Sequence, residues 1–176
     1  MSRSSPFPLN AESSFVSHLP QQIEELWETY TAGPALLRES VRGLTAEQVR
    51  TPAPPGRWSP LEVVCHIADF ELVYADRMKR VVAEERPTLL NGDPDLFAAK
   101  LAYGQRDLEE ELAVIESVRR QVARFLRTLD ATAFEREAIH STDGPISLTT
   151  LLKRMAGHIP RHVEFIRQKR QNAGQC

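Results

Sequence analysis

Residues 148–166 read LTTLLKRMAGHIPRHVEFI, and this stretch decides the fold. Leu148, Leu151, Leu152, Met155, Ile159, Val163 and Ile166 recur at three- and four-residue steps, the spacing of one face of an α-helix. Such a stripe has to be buried against other elements, so the helix needs partners. Two histidines, His158 and His162, ride on the same stretch. His162 falls within the apolar stripe and His158 at its edge.

The partners lie upstream. Leu108, Leu112, Ile115, Val118, Val122, Phe125 and Leu129 make a second helical stripe. A third helix starts at Ser59-Pro60. Serine caps, proline suits the first turn, and Glu62 stands at the capping-box position. It should run to about Glu85, where Arg86-Pro87 stops it. After Pro20 comes a further pattern of Ile23, Leu26, Trp27, Tyr30, Leu36, Leu37 and Val41, with a kink or break expected at Gly33-Pro34. The connectors are a short turn over 45–50, a rigid TPAPPG segment over 51–56, a turn-rich 87–95 followed by a short helix, and an irregular 130–146 with a turn at Asp143-Gly144-Pro145. No segment shows sustained strand alternation, and no internal repeat is visible. The expected fold is all-α, an up-down four-helix bundle with long connectors. Residues 1–18 read as a flexible N-terminal arm, 19–170 as the bundle and 171–176 as a tail.

Composition bounds the partners. Lysine plus arginine number 22 and aspartate plus glutamate 24, a balance that gives no field for nucleic acid or an anionic membrane. No apolar run approaches the ~20 residues of a membrane span, and the first residues lack a signal-peptide core. Cys65 sits in an apolar helical run and Cys176 is the last residue, so neither belongs to a disulfide framework. A reducing, cytoplasmic setting is the expectation.

The histidines carry the candidate chemistry. On a continuous helix His158 and His162 lie one turn apart on one face, a spacing that presents two imidazole nitrogens to one metal ion. The alternative is a pair of hydrogen-bonded core histidines. Pro160 cannot donate to the Ala156 carbonyl and Gly157 adds slack, so the helix kinks or restarts between the two rings. His66 is harder to place. On its helix, Leu61, Val64, Cys65, Ala68, Leu72 and Ala75 form one apolar stripe, and Val63, Ile67, Phe70 and Tyr74 another. His66 falls between them in a polar strip with Glu62, Asp69 and Arg77, which is either a solvated face or the rim of a cleft. Asp69 is a candidate base or a partner for a ring N–H; otherwise it pairs with Arg77 or Arg80 on the surface. The second apolar stripe leaves room for a dimer contact. His140, before the last helix, is expected in solvent, His18 belongs to the arm, and Arg57 and Arg161 flank the histidine motifs.

Trp58-Ser59-Pro60 followed by Glu62, His66 and Asp69 resembles the W-S-x-x-E-x-x-x-H-x-x-D opening of the second long helix in DinB-like proteins, the DinB/YfiT-like superfamily. His158-Ile159-Pro160-Arg161-His162 resembles the H-x-x-x-H of their last helix. The similarity spans about residues 20–170. It implies a four-helix bundle, commonly a homodimer, with a divalent metal such as zinc or nickel held by His66, His158 and His162. Three histidines leave an open coordination position, as catalytic metals do. The implied activities on a small-molecule substrate are a metal-dependent hydrolase or a transferase that activates a low-molecular-weight thiol cosubstrate. The alternative is a non-catalytic, metal-binding stress or interaction bundle.

Overall fold

A computed structural model describes residues 19–52, 54 and 56–173. The expected arm, residues 174–176 of the expected tail and two residues of the TPAPPG connector lie outside the described residues, whereas residues 171–173 continue the last helix instead of starting a tail. Among the described residues six α-helices form: α1 Gln21–Val41, α2 Ala46–Arg50, α3 Pro60–Ala83, α4 Pro94–Lys100, α5 Leu108–Leu126 and α6 Leu148–Ala173. The four long ones, α1, α3, α5 and α6, make the bundle. α1 packs on α5 and α6, and α3 packs on the same two, so the first and second long helices sit on a diagonal.

Local chemistry sets the helix starts. Ser59 accepts from the Glu62 N–H while Glu62 reaches back to the Ser59 N–H at 2.7 Å, closing the capping box read from the sequence. Thr45 and Gln48 repeat the device on α2. Asp93 and Asp107 cap α4 and α5, and Ser147 Oγ accepts from the Thr150 N–H at the start of α6.

Two features depart from expectation. First, α1 has no break at Gly33-Pro34. Pro34 has no N–H for the Tyr30 carbonyl, but Arg119 Nη1 donates to that carbonyl at 2.7 Å, so the helix keeps its bonding. Second, the connectors hold a small sheet: β1 Thr88–Leu89, β2 Glu137–His140 and β3 Gly144–Ser147. β1 lies parallel to β2, and β2 antiparallel to β3. Strands of two and four residues are too short to show alternation. The chain reverses over 141–143, and Gly144 takes a φ of 74°, a left-handed conformation that glycine tolerates. Ala138 and Ile146 of the sheet join the core beside Phe134, Met78 and Leu148.

The core divides along the bundle axis. One half gathers Ile23, Tyr30, Met78, Val122, Leu151 and Met155. The other gathers Leu37, Val64, Ile67, Ile115, Ile159 and Val163. Between them, at one level on all four long helices, lies a buried polar layer. Arg119 of α5 is 1% exposed and binds Glu71 of α3 through Nε (2.8 Å) and Nη2 (2.6 Å). Tyr30 of α1 donates its hydroxyl to Glu71 at 3.3 Å, and the Met155 carbonyl of α6 accepts from Arg119 at 2.8 Å. Most of both stripes of α3 is used inside the chain: Val63, Ile67 and Phe70 are buried, as are Leu61, Val64 and Cys65, while Leu72 of the first stripe is exposed. Of the stripe that left room for a dimer contact, Tyr74 is the member left part-exposed.

Candidate metal centre

The first half of α3 packs on α5 and α6 and also on α2, α4 and the turn at Tyr103–Gln105, so it is enclosed almost all round. That is why His66, between two apolar stripes, is buried rather than solvated. Its ring meets the two histidines of α6. His66 Nε2 lies 3.0 Å from His158 Nε2. Ring centroids stand 4.8 Å apart for His66 and His162 and 4.7 Å for His158 and His162. One ring nitrogen from each of the three falls within 4.8 Å of the others, a group able to hold a metal ion. α6 is helical throughout Gly157–His162, so Pro160 leaves the one-turn spacing of the pair intact.

The donor set suits a divalent cation of borderline softness. Nitrogens held about 2.0–2.1 Å from one ion stand about 3 to 3.4 Å apart at bond angles of ~90 to ~110°, and the His66–His158 separation lies in that interval. All three rings are neutral at neutral pH, so their lone pairs are free to bind. Burial pushes His66 down to about 4, against the pull of Asp69. Burial, then the neighbouring histidines and Arg119, push His158 to about 2. Burial, His66 and Arg161 bring His162 to about 4.

The Nδ1 atoms of all three rings are buried without a hydrogen-bond partner among the described residues. Ring orientation is instead set by packing. Trp58 stands 5.0 Å from His66 between centroids, Phe70 4.6 Å from His66, and Phe165 5.8 Å from His162. Phe97 of α4 extends this frame at 5.6 Å from Phe70. Phe165 is 47% exposed and both α6 histidines are half-buried, so the triad lies at an apolar mouth.

The remaining candidates fall elsewhere. Asp69 does not touch the triad. It pairs with Arg106 at 3.0 and 3.3 Å, not with Arg77 or Arg80, because the α4–α5 connector folds back over it. Arg77 donates to the Leu90 carbonyl, and Arg80 pairs with Asp76 and Glu84. His140 is buried in β2, not solvated, with Thr142 Oγ1 3.1 Å from its Nδ1. Cys65 points away from His66 toward the Tyr103 carbonyl, and burial raises its thiol to about 12. Arg57 and Arg161 are exposed. Sequence reasoning missed Arg119 and Glu71. The signal was there: Arg119 occupies the apolar register of α5 at Ile115 plus four, and Glu71 that of α3 at Ile67 plus four.

The family model described as the DinB superfamily matches residues 29–166. The chain belongs to the DinB superfamily. Among its relatives is a protein of Oceanobacillus iheyensis named "putative metal-dependent hydrolase", 30% identical over 133 residues, which are 76% of this chain and 77% of that one. YfiT of Bacillus subtilis, with the same name, is 28% identical over 142 residues, 80% of each chain. The solved structure of YfiT superposes with a TM-score of 0.83 at 25% identity, covering 96% of this DinB-superfamily chain and 97% of YfiT. It is described as "a probable metal-dependent hydrolase with an unusual four-helix bundle topology". Among the described residues no helix is long and apolar enough to cross a membrane.

Proposed function

We propose that this protein is a metal-dependent hydrolase of a small molecule, with one zinc or nickel ion held by His66, His158 and His162. The convergence of three neutral imidazoles from α3 and α6 on one point carries the reading. Such a cation, when bound, supplies Lewis-acid activation of water and of a carbonyl group. The three rings occupy three positions and leave the rest to water and substrate. Trp58, Phe70 and Phe165 hold the rings by contact and give the substrate an apolar wall.

One observation favours a second reaction at the same centre, transfer of a low-molecular-weight thiol. Among the described residues no carboxylate is hydrogen-bonded to the triad, and Asp69 is tied to Arg106. A thiol that ionises on a metal needs no protein base. Assaying the metal-loaded protein for thiol conjugation and for ester and amide hydrolysis separates the two. Metal analysis of protein purified without a histidine tag tests the common ground. Less than about a tenth of an equivalent, with no thermal shift on adding zinc or nickel, would leave a non-catalytic bundle as the answer. A homodimer in the cytoplasm belongs to this reading through the family resemblance and cysteine usage, and light scattering at micromolar concentration checks the dimer.

A further inference from the structure

We infer that Arg119 is a positioning residue for the histidine centre: by binding Glu71 of α3 and the Met155 carbonyl of α6, it fixes the spacing of the two helices whose histidines must converge. The inference rests on the reading that these histidines bind a metal.

Glu71 lies five residues beyond His66 on α3, and Met155 three residues before His158 on α6. Arg119 grips both within 2.8 Å and donates its third nitrogen, Nη1, to the Tyr30 carbonyl of α1. Its planar fork is rigid, so these bonds hold the helices at one separation. Both helices that it ties through backbone carbonyls contain a proline, Pro34 in α1 and Pro160 in α6. Each proline deletes one N–H from its helix and leaves the local backbone freer to bend. On α6 the weakened segment is the one that carries His158 and His162. Metal-binding imidazoles are commonly oriented by hydrogen bonds from their other ring nitrogen. Here no partner meets the ring Nδ1 atoms among the described residues. The backbone beneath the rings is anchored instead.

The side chain has been given room for this. A Cβ on Gly33 would stand 2.2 Å from Arg119 Nη1. The Arg119 guanidinium also lies over the Tyr30 ring, 4.3 Å from its centroid. Charge alone would not need this placement, since a lysine could neutralise Glu71. A lysine carries its donors on one nitrogen, whereas the arginine fork spreads five over three nitrogens and so meets Glu71 and the Tyr30 and Met155 carbonyls on different helices.

The test compares zinc affinity, by competition with a chelator, and the visible spectrum of the cobalt-substituted protein. The parent is set against Arg119→Met combined with Glu71→Met, which leaves no buried charge unpaired. We expect the folded double variant to bind zinc about 10- to 100-fold more weakly, the loss typical of outer-shell disruption, with an altered cobalt spectrum. Arg119→Lys should fall between the two. A folded double variant with the parent's affinity and spectrum would overturn the inference, leaving Arg119 a stabilising group only. If the double variant does not fold, Arg119→Lys decides: a loss of about threefold or more with an altered cobalt spectrum supports the inference, and a smaller loss overturns it. A parent that binds no zinc or cobalt sinks the metal reading itself, an outcome distinct from either.

Discussion

A methyl group added at Gly33 should unfold the protein more easily, although the same change at Gly157 should stabilise it. Both glycines lie inside long helices, where alanine is favoured over glycine by about 1 kcal/mol. At Gly157 nothing stands within 4 Å of the new carbon, so that gain is realised. At Gly33 the carbon would lie 2.2 Å from Arg119 Nη1, 3.1 Å from its Cζ and 3.2 Å from Ile159 Cδ1. The end of an arginine yields easily in water, but this one is 1% exposed and held by Glu71, Tyr30 and Met155. Moving it breaks the bond to the Tyr30 carbonyl, which Pro34 has left without a helical donor. A hydrogen bond from a charged group is worth about 1.5–3 kcal/mol, and overpacking a core costs about 1–3 kcal/mol. Against the helical gain, Gly33→Ala should lose about 2–4 kcal/mol, or roughly 10 °C of melting temperature for a chain of this size. Urea denaturation of the two variants beside the parent measures both effects. A Gly33→Ala protein as stable as the parent would show that Arg119 is not fixed as described.

Removing metal by chelation should lower the melting temperature, and restoring zinc at about a hundred times its dissociation constant should return about 2.7 kcal/mol; an unchanged melting curve refutes this. Asp69→Asn should leave metal content unchanged while costing about 1–2 kcal/mol through the loosened Arg106 pair, as that pair is only partly exposed; loss of metal would bring Asp69 back as a site residue. His140 titrates below its ordinary value because it is buried and lies near Arg77. The stability it contributes is present above its unfolded value of about 6.5 and is lost as pH falls, so His140→Asn should lose less stability than the parent between pH 7 and pH 5. Equal slopes would refute that assignment. The aromatic wall should make benzohydroxamate bind the zinc protein about 30-fold more tightly than acetohydroxamate, about 2 kcal/mol of buried ring surface. Equal affinities in a calorimetric titration would remove the apolar wall from the site.

Much of the scaffold was legible in the sequence. The Ser59 capping box, the stripes of α5 and α6 and the one-turn spacing of His158 and His162 are local patterns, and local patterns survive folding. What failed depended on distant partners. The wheel alone left His66 between a solvated face and a cleft rim, because it counts its own residues and not Trp58 and the α6 histidines that meet its ring. Gly33-Pro34 looked like a break because the donor that repairs it lies 85 residues away, on α5. Asp69 found Arg106 rather than Arg77 because the α4–α5 connector folds back, which no periodicity encodes. The resemblance to DinB-like proteins supplied the contact between α3 and α6 that the wheel could not.

The polar layer of Arg119, Glu71 and Tyr30 has a consequence for how such a chain can change over generations. Apolar side chains on its two sides belong to separate clusters, so the energetic costs of substitutions far from the layer on either side should add. The half that carries the histidines should then tolerate changes in its walls while the half built on Met78 and Phe134 keeps the protein folded. The ionic layer acts as a bulkhead, giving one small bundle a conservative end and an inventive one.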